Sequence, residues 1–238
     1  MNRMEDAGFE ILYEEGPCLV VNKPPGVLTI APPGVDSLDV RVREFLKRRD
    51  HKPGNVYLGI PHRLDRPATG AIVFGKHARA TRRLTEQFGA RVIRKVYWAS
   101  VSGRVTPESG TWEDYVRKIP DVPQGEVVPP DHPDARKAVL HYRTVAMAPW
   151  GSWLQIELET GRMHQIRIQA SVRGHPILGD AQYGSTVPFG PQHDDWRLRP
   201  IALHARQLSF RHPMTHEPVI AIAPVSADWR ALGLAGLP

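Results

Sequence analysis

The segment PHRLDRPATG, residues 61–70, places one carboxylate among basic side chains, because Asp65 has His62, Arg63 and Arg66 as near neighbours. Nearby positive charge lowers the pKa of a carboxyl group, so we expect Asp65 to be ionised. An ionised carboxylate can act as a nucleophile or a base, or it can simply hold an arginine in an ion pair. An isolated Asp–Arg pair more often has a structural role, so the role of Asp65 has to be judged from the other polar segments of the sequence.

Two further segments concentrate polar groups in otherwise regular settings. In RKVYWASV, Lys95 and Tyr97 alternate along a predicted strand and therefore lie on the same face of it. In LETGRMHQIRIQ, His164 and Arg167 are three residues apart and share a face near the start of a predicted helix. Helix N-termini attract anions, so this face suits a phosphate or the Asp65 carboxylate. Each segment, taken alone, also fits an ordinary structural role.

Several other kinds of site are excluded by the motifs that the sequence lacks. It contains no GxGxxG, no GxxxxGK[ST] and no GxSxG segment, which argues against common nucleotide-binding and serine-hydrolase sites. Cys18 is the lone cysteine, and none of the eleven histidines forms an HExxH motif. A metal-dependent hydrolase built from scattered histidines and carboxylates stays open, but the sequence favours neither a metal nor a cofactor.

The elements that must position these side chains are short strands and a few helices. DSLDVRVREFLKRR and HARATRRLTEQFGA have the apolar spacing of helices, and MHQIRIQASVR is predicted to be a helix capped at its C-terminus by Gly174. The predicted strands are FEILYEE, CLVVNK, NVYLGI, AIVFGK, RVIRKVYWASVSGRV, WLQIELE and a final strand IALHARQLSF, with DVPQGEVVPPDHPDARK as a polar surface segment. This order favours an α+β fold with a mixed, largely antiparallel central sheet flanked by helices.

Composition points to a polyanionic partner. The formal net charge is +6, and 24 of the 31 basic residues are arginine, which suits phosphate and base contacts, although a general preference for arginine over lysine explains that ratio equally well. The N-terminal residues have no signal-peptide pattern, and no apolar run reaches the length of a membrane span. We expect a cytoplasmic, monomeric protein with one domain over residues 1–238 and no membrane contact.

Taken together, the three polar segments resemble the RluA-like family of RNA pseudouridine synthases. The resemblance begins at LVVNKPPGV, continues through PHRLDRPATG, RKVYWASV and ARKAVLHYRTV, and extends through LETGRMHQIRIQASVRGHPILGDAQYG and IALHARQLSFRHP. It covers roughly residues 11 to 227, and HRLD followed, after three further residues, by Thr69 and Gly70 is its most specific part. We expect residues 1–238 to form the catalytic domain alone, without the separate N-terminal RNA-binding domain that many members of the family carry.

The resemblance implies an isomerase that converts a uridine within ribosomal or transfer RNA to pseudouridine, without cofactor or metal, in the pseudouridine synthase fold. By similarity, Asp65 is the catalytic aspartate, Tyr97 stacks on the target base and Arg167 pairs with Asp65. The chemical role of Asp65 remains open: it can attack the sugar, attack the base or remove the 2′-proton. We also expect Arg167→Met to lower activity while leaving the fold largely intact.

Six other residues are predicted to help bind the RNA: His62, Arg63, Arg66, Thr69, Lys95 and His164. Arg63 suits the space that a flipped uridine vacates, because a guanidinium stacks and donates hydrogen bonds. His62 has loop support as its alternative role, and Lys95 is either a phosphate contact or a solvated strand residue. The chain departs from the family at Ala68-Thr69, where Thr-Ser is usual, so the turn keeps one hydroxyl. A catalytically silent RNA-binding protein on the same scaffold is the second reading.

Overall fold

The computed structural model describes residues 7–233, which divide into two compact units. The first unit comprises residues 7–95, 195–198 and 205–225, and the second comprises residues 96–194, 199–204 and 226–233. The expectation of a single catalytic domain stays a prediction. Within residues 7–233, no helix has both the length and the apolar character needed to cross a membrane.

The first unit contains two helices and most of five strands. The strands are β1 Glu10–Glu15, β2 Cys18–Lys23, β3 Thr69–Gly75, β9 Leu203–Arg211 and β10 Pro218–Ile222, in the order β1–β2–β3–β9 with β10 on β9. The pairs β1–β2, β2–β3 and β9–β10 are antiparallel. The helices are α1 Leu38–Arg49 and α2 Ala78–Gly89. Helix α2 buries Ala80 and Leu84, and Leu84 joins the core formed by Val20, Val73 and Leu208.

The second unit is built on antiparallel strands. They are β4 Arg94–Ser102, β5 Ser109–Lys118, β6 Gly125–Val127, β7 Arg136–Ala148 and β8 Gly151–Leu158, in the order β4–β8–β7–β5–β6. Two short helices, α3 Gln165–Ser171 and α4 Ala227–Ala231, and a 3-10 helix, Ala181–Tyr183, belong to the same unit.

Helix α3 is buried although several of its side chains are polar. Gln165 Nε2 donates to the carbonyl of Val139 in β7 at 3.1 Å, and Gln169 Nε2 donates to the carbonyl of Trp112 in β5 at 3.1 Å. A buried amide is stable only when it is hydrogen-bonded, and here the strands supply the acceptors. The two glutamines therefore fix α3 against the strands, with Arg167 between them in sequence.

The predicted α+β class with largely antiparallel strands is confirmed. The predicted α1, α2, β3 and β8 are also confirmed, as is the cap at Gly174. The N–H of Gly174 (φ 76°) donates to Ser171 O, and that of His175 donates to Ala170 O, which is the Schellman arrangement.

Two sequence predictions were wrong. Residues 55–60 form only the isolated bridge Gly59–Gly75, because the Arg43 guanidinium occupies the carbonyls of Val56 and Leu58, at 3.0 and 2.9 Å, that a neighbouring strand would otherwise use. The polar segment after β5 is mostly exposed, as predicted, and also contains β6, which is too short to show a hydrophobic period. Strand β9 is not the final strand, because β10 follows it.

Candidate active site

The Asp65 loop is fastened from the end of β2 by a buried lysine. Lys23 is fully buried, and its Nζ donates to the carbonyls of Pro24 at 2.9 Å, Arg66 at 3.0 Å and Ala68 at 2.8 Å. Burial lowers the pKa of Lys23 to about 7, and the negative charge of Asp65 acts in the opposite direction. The three carbonyls can each take one proton of an ammonium group, so the arrangement suits the charged lysine.

Two further side chains fix the main chain on either side of Asp65. Thr29 Oγ1 donates to Leu64 O at 2.9 Å and accepts from Leu64 N at 3.2 Å, so the residue before Asp65 is held at both of its main-chain groups. Arg66 Nε donates to Gly26 O at 2.8 Å, and Gly26 N donates to Arg66 O at 2.9 Å. The predicted RNA-binding residue Arg66 thus also ties the loop to the turn after β2.

The turn after Asp65 is closed by main-chain groups. Ala68 N donates to Asp65 O at 3.1 Å, so this closure does not depend on the hydroxyl that Ala68 replaces. Thr69 begins β3 and is half-buried. Gly70 has a φ of 116°, and a Cβ there would lie 2.4 Å from the carbonyl oxygen of Ala205 in β9. The glycine of the motif is therefore required by the close approach of β9.

His62 is held as a neutral base. Its Nε2 accepts from Val73 N at 3.0 Å, and its ring stacks on that of Phe88 in α2 with centroids 4.4 Å apart. Burial, followed by the positive charge of Lys95, lowers the pKa of His62 to about 3. The expectation that His62 is one of the cations near Asp65 is therefore wrong. Its contacts fit its alternative role, support of the loop.

The other predicted residues of the first unit differ in exposure. Arg63 is exposed, whereas Lys95, near the start of β4, is half-buried. Burial, followed by the positive charge of Arg91, lowers the pKa of Lys95. The positive charge of Lys95 in turn contributes to the lowered pKa of His62.

The second unit carries Tyr97, His164 and Arg167. Tyr97 is half-buried in β4, where it lies opposite Ile156 of β8. Arg167 is only 3% exposed and forms a two-pronged ion pair with Asp180, from Nε to Oδ2 at 2.7 Å and from Nη2 to Oδ1 at 2.8 Å. Nη2 also donates to Gln182 Oε1 at 2.8 Å. The predicted pairing of Arg167 with Asp65 stays a prediction.

Tyr183 completes the surroundings of Arg167. The Arg167 guanidinium lies over its ring, 4.7 Å from the centroid, and the tyrosine hydroxyl hydrogen-bonds to His164 Nδ1 at 2.8 Å. His164 precedes α3 in the left-handed conformation, with a φ of 52°. The helix therefore begins at Gln165, and the expectation that His164 lies within it, on one face with Arg167, is wrong. We call Arg167, Asp180, Gln182, Tyr183 and His164 the Arg167 cluster.

Sequence reasoning did not assign several residues that build these two regions. Lys23 and Thr29 hold the Asp65 loop, and Asp180, Gln182 and Tyr183 contact Arg167. Lys23 left a signal, because a lysine that ends a mostly apolar strand and precedes Pro-Pro-Gly is an unusual buried charge, and Asp180 lies in the segment GHPILGDAQYG, which carries part of the resemblance. Within residues 7–233, no group of three histidine, cysteine or acidic side chains is arranged to hold a metal ion.

Known proteins match this chain over most of its length. Two solved structures share the fold: Human RNA Pseudouridylate Synthase Domain Containing 4 has a TM-score of 0.74 at 23% identity over 92% of this chain and 89% of its own. Human RNA Pseudouridylate Synthase Domain Containing 1 has a TM-score of 0.70 at 21% identity over 100% and 99%. At these identities the likeness concerns the fold.

Similarity in sequence identifies the family. The chain is 37% identical over 230 residues to an uncharacterized RNA pseudouridine synthase of Synechocystis, covering 94% of this chain and 68% of that protein. It is 33% identical over 235 residues to ribosomal large subunit pseudouridine synthase D of Xanthomonas campestris, covering 96% and 69%. Residues 17–172 match the model of the RNA pseudouridylate synthase family. The chain therefore belongs to this family, is similar to its RluA-like members, and is an isomerase that acts on RNA.

Proposed function

We propose that this enzyme converts uridine to pseudouridine in large-subunit ribosomal RNA, with Asp65 as its nucleophile. The observation that carries the assignment of Asp65 is the way its loop is held. Lys23 and Thr29 bind main-chain groups on both sides of Asp65, and the Arg66 side chain binds the turn after β2, so the backbone that carries Asp65 is fixed. Support for the ribosomal target comes from two relatives named ribosomal large subunit pseudouridine synthase D, from Xanthomonas campestris and Vibrio vulnificus, which are 33% and 34% identical to this chain.

The proposed reaction rearranges bonds without a net gain or loss of atoms. The N1–C1′ bond of the uridine breaks, the uracil turns, and C5 forms the new bond to C1′. The C5 proton leaves and N1 gains a proton, so the product is an isomer of the substrate. A carboxylate suits this task, because it can add to the nucleotide and leave again while the base turns. Attack on the sugar, attack on the base and a 2′-proton route are all compatible with Asp65.

The remaining site residues receive roles in the same proposal. Tyr97 stacks on the flipped uracil, an interaction that contributes about 1–3 kcal/mol per base. Arg63, which is exposed, fills the space that the uridine leaves. Arg167, which forms an ion pair with Asp180, is also needed for turnover. The enzyme is proposed to act as a monomer, which the mass of the protein–RNA complex measured by light scattering would check.

Release of tritium from RNA labelled at C5 of uridine tests the proposal directly. Unmodified fragments of large-subunit ribosomal RNA and unmodified transfer RNA serve as separate substrates. The variant Asp65→Ala should release no tritium while binding RNA within a few fold of the wild type, since the nucleophile acts mainly in the chemical step. Asp50→Ala is the matched control, because Asp50 pairs with Arg49 at the end of α1.

Each outcome has a distinct meaning. Release from ribosomal RNA alone supports both parts of the proposal, and release from transfer RNA alone overturns the ribosomal target. Release by Asp65→Ala at the wild-type rate overturns the role of Asp65. If no RNA, including ribosome precursors, releases tritium although the protein binds it, the silent RNA-binding reading replaces the proposal.

A further inference from the structure

The net positive charge of the chain is concentrated in one stretch. Residues 76–95 contain seven basic residues and one acidic residue, Glu86, an excess of six. The other 218 residues contain 24 basic and 24 acidic residues, so the stretch accounts for the whole formal net charge of +6. It spans helix α2 and the turn into β4. A charge of one sign that is gathered on one surface attracts a partner of the opposite sign.

Helix α2 is oriented so that two of its arginines face solvent. On its inner side, Arg83 Nη1 donates to Pro213 O at 2.7 Å, and Gln87 exchanges two hydrogen bonds of 2.9 Å with the main chain of Arg211 in β9. These contacts occupy Arg83 in holding the helix. Arg79 and Arg82 lie on the outer side and are exposed. Being three residues apart, they are neighbours on one helix face.

The charged face continues into the turn that follows the helix. Arg91 and Arg94 are exposed as well, and together with Arg79 and Arg82 they form what we call the α2 surface. Glu86 lies 3.6 Å from Arg82, but both side chains are mostly exposed, so this pair is open to competition by a phosphate. A guanidinium matches the two free oxygens of a phosphodiester in geometry as well as in charge.

The α2 surface belongs to the helix that packs on the Asp65 loop. Phe88 of α2 stacks on His62, three residues before Asp65, and Lys95 at the far end of the stretch contributes to the neutral state of His62. A strand of RNA with one nucleotide at Asp65 would therefore reach the part of the α2 surface nearest to Phe88 with the nucleotides next to it.

We propose that the α2 surface binds the phosphodiester backbone of the RNA beside the target uridine. The proposal rests on the proposed function, since it takes RNA modified at Asp65 as the ligand. The surface contributes affinity and places the strand but does not read the bases, because contacts to phosphate carry no sequence information. The alternative is a solvated helix face without a ligand.

Salt dependence of binding separates these two possibilities. The test variant is Arg79→Gln with Arg82→Gln, which removes two charges and keeps residues that favour helix. Binding of unmodified large-subunit ribosomal RNA fragments would be measured over a series of salt concentrations. Loss of two phosphate contacts should reduce the slope of log K against log salt by about 1.4 to 1.8. The KM for RNA should rise while kcat at saturating RNA stays unchanged.

Two further variants make the result specific. Lys47→Gln with Arg48→Gln removes two exposed charges from the last turn of α1 in the same unit and should leave the slope at the wild-type value. Arg79→Lys with Arg82→Lys keeps the charges and should restore most of the slope. If both Gln pairs reduce the slope equally, or neither does, the α2 surface is not the site and the proposal is overturned.

Failure of this proposal can be distinguished from failure of the proposed function. A reduced slope in the test variant, with no tritium release by the wild type, would support the surface and overturn the isomerase assignment at Asp65. Tritium release that depends on Asp65, together with an unchanged slope in the test variant, would keep the assignment and remove the surface.

Discussion

The Asp65 loop and the Arg167 cluster are both buried frameworks around charged side chains, but they are held in opposite ways. At the Asp65 loop, Lys23, Thr29 and Arg66 bind carbonyls and N–H groups of the main chain. In the Arg167 cluster, side chains bind side chains, and the centre is an ion pair with Asp180 that is almost fully buried.

The difference determines what a substitution should do in each region. Removing an anchor from the loop frees main-chain groups, some of which water can reach, so the position of Asp65 should suffer more than the stability of the protein. Removing one member of a buried ion pair leaves an uncompensated charge, which usually costs more than the pair contributed. We therefore expect cluster variants to lose more stability than loop variants do, and the loss of a loop anchor to lower turnover as well.

The largest effect on stability is expected for Arg167→Met. It leaves Asp180, which is 1% exposed, without its cation, and we expect a loss of about 3–5 kcal/mol in the free energy of unfolding. This revises the expectation from sequence that the fold stays largely intact. Urea unfolding measures the loss, and Arg173→Met is the control, because its pair with Asp114 is more exposed and should matter less.

A double variant separates the buried charge from the loss of packing. Arg167→Met with Asp180→Leu removes both charges and should recover most of the stability, because an apolar pair of similar size replaces an ion pair at little cost. Turnover should stay low in the double variant, because Arg167 is proposed to be needed for turnover. If Arg167→Met alone has a free energy of unfolding within about 1 kcal/mol of the wild type, the ion pair does not stabilise the Arg167 cluster as we describe.

The next effect is expected on turnover, from Lys23→Met. Losing two hydrogen bonds to the Asp65 loop, and a third to Pro24, should let the loop shift, and a misplacement of about 1 Å can lower kcat on the order of a hundredfold. Stability should fall less than in Arg167→Met, because Pro24 and Arg66 are half-exposed and water can reach them. Single-turnover tritium release is the measurement.

Lys76→Met is the matched control for Lys23. Lys76 lies in the same unit and pairs with Glu14, away from the loop anchors. Its replacement should leave kcat unchanged. A folded Lys23→Met variant with wild-type kcat would contradict the view that the loop is positioned by this lysine.

A smaller loss of stability is expected for Thr29→Val. The change keeps the shape of the side chain but removes the hydroxyl that satisfies both main-chain groups of Leu64, and we expect a loss of about 2 kcal/mol. Thr29→Ser retains the hydroxyl and should lose less than half as much. Equal losses in the two variants would mean that the methyl group, not the hydrogen bonds, matters at this position.

The sequence identified the residues at the centre of both regions better than it identified the residues that contact them. The apolar spacing of Leu84 in α2 and the alternation of Leu154 and Ile156 in β8 were sufficient signals, because each reports a local period. The placement of Lys23 beside Ala68, and of Asp180 beside Arg167, depends on how distant segments pack, which no local pattern encodes. The charge state of His62 was mistaken for the same reason, since its burial and the positive charge of Lys95 both favour the neutral ring and both depend on packing.

The smallest effect concerns the pH dependence of stability. The folded-state pKa of His62, about 3, lies below the ordinary value of 6.5, so the unfolded chain binds a proton at higher pH than the folded chain does. The contribution of the neutral His62 ring to the free energy of unfolding is present in full above pH 6.5 and is lost as the pH falls from 6.5 towards 3. The loss is about 1 kcal/mol between pH 7.5 and 5.5.

His62→Gln should lack this loss, which urea unfolding at the two pH values would measure. His51→Asn, at an exposed histidine, should keep the wild-type pH dependence. Parallel curves for the wild type and His62→Gln would mean that His62 titrates normally, and the loop would then carry a cation where we place a neutral ring.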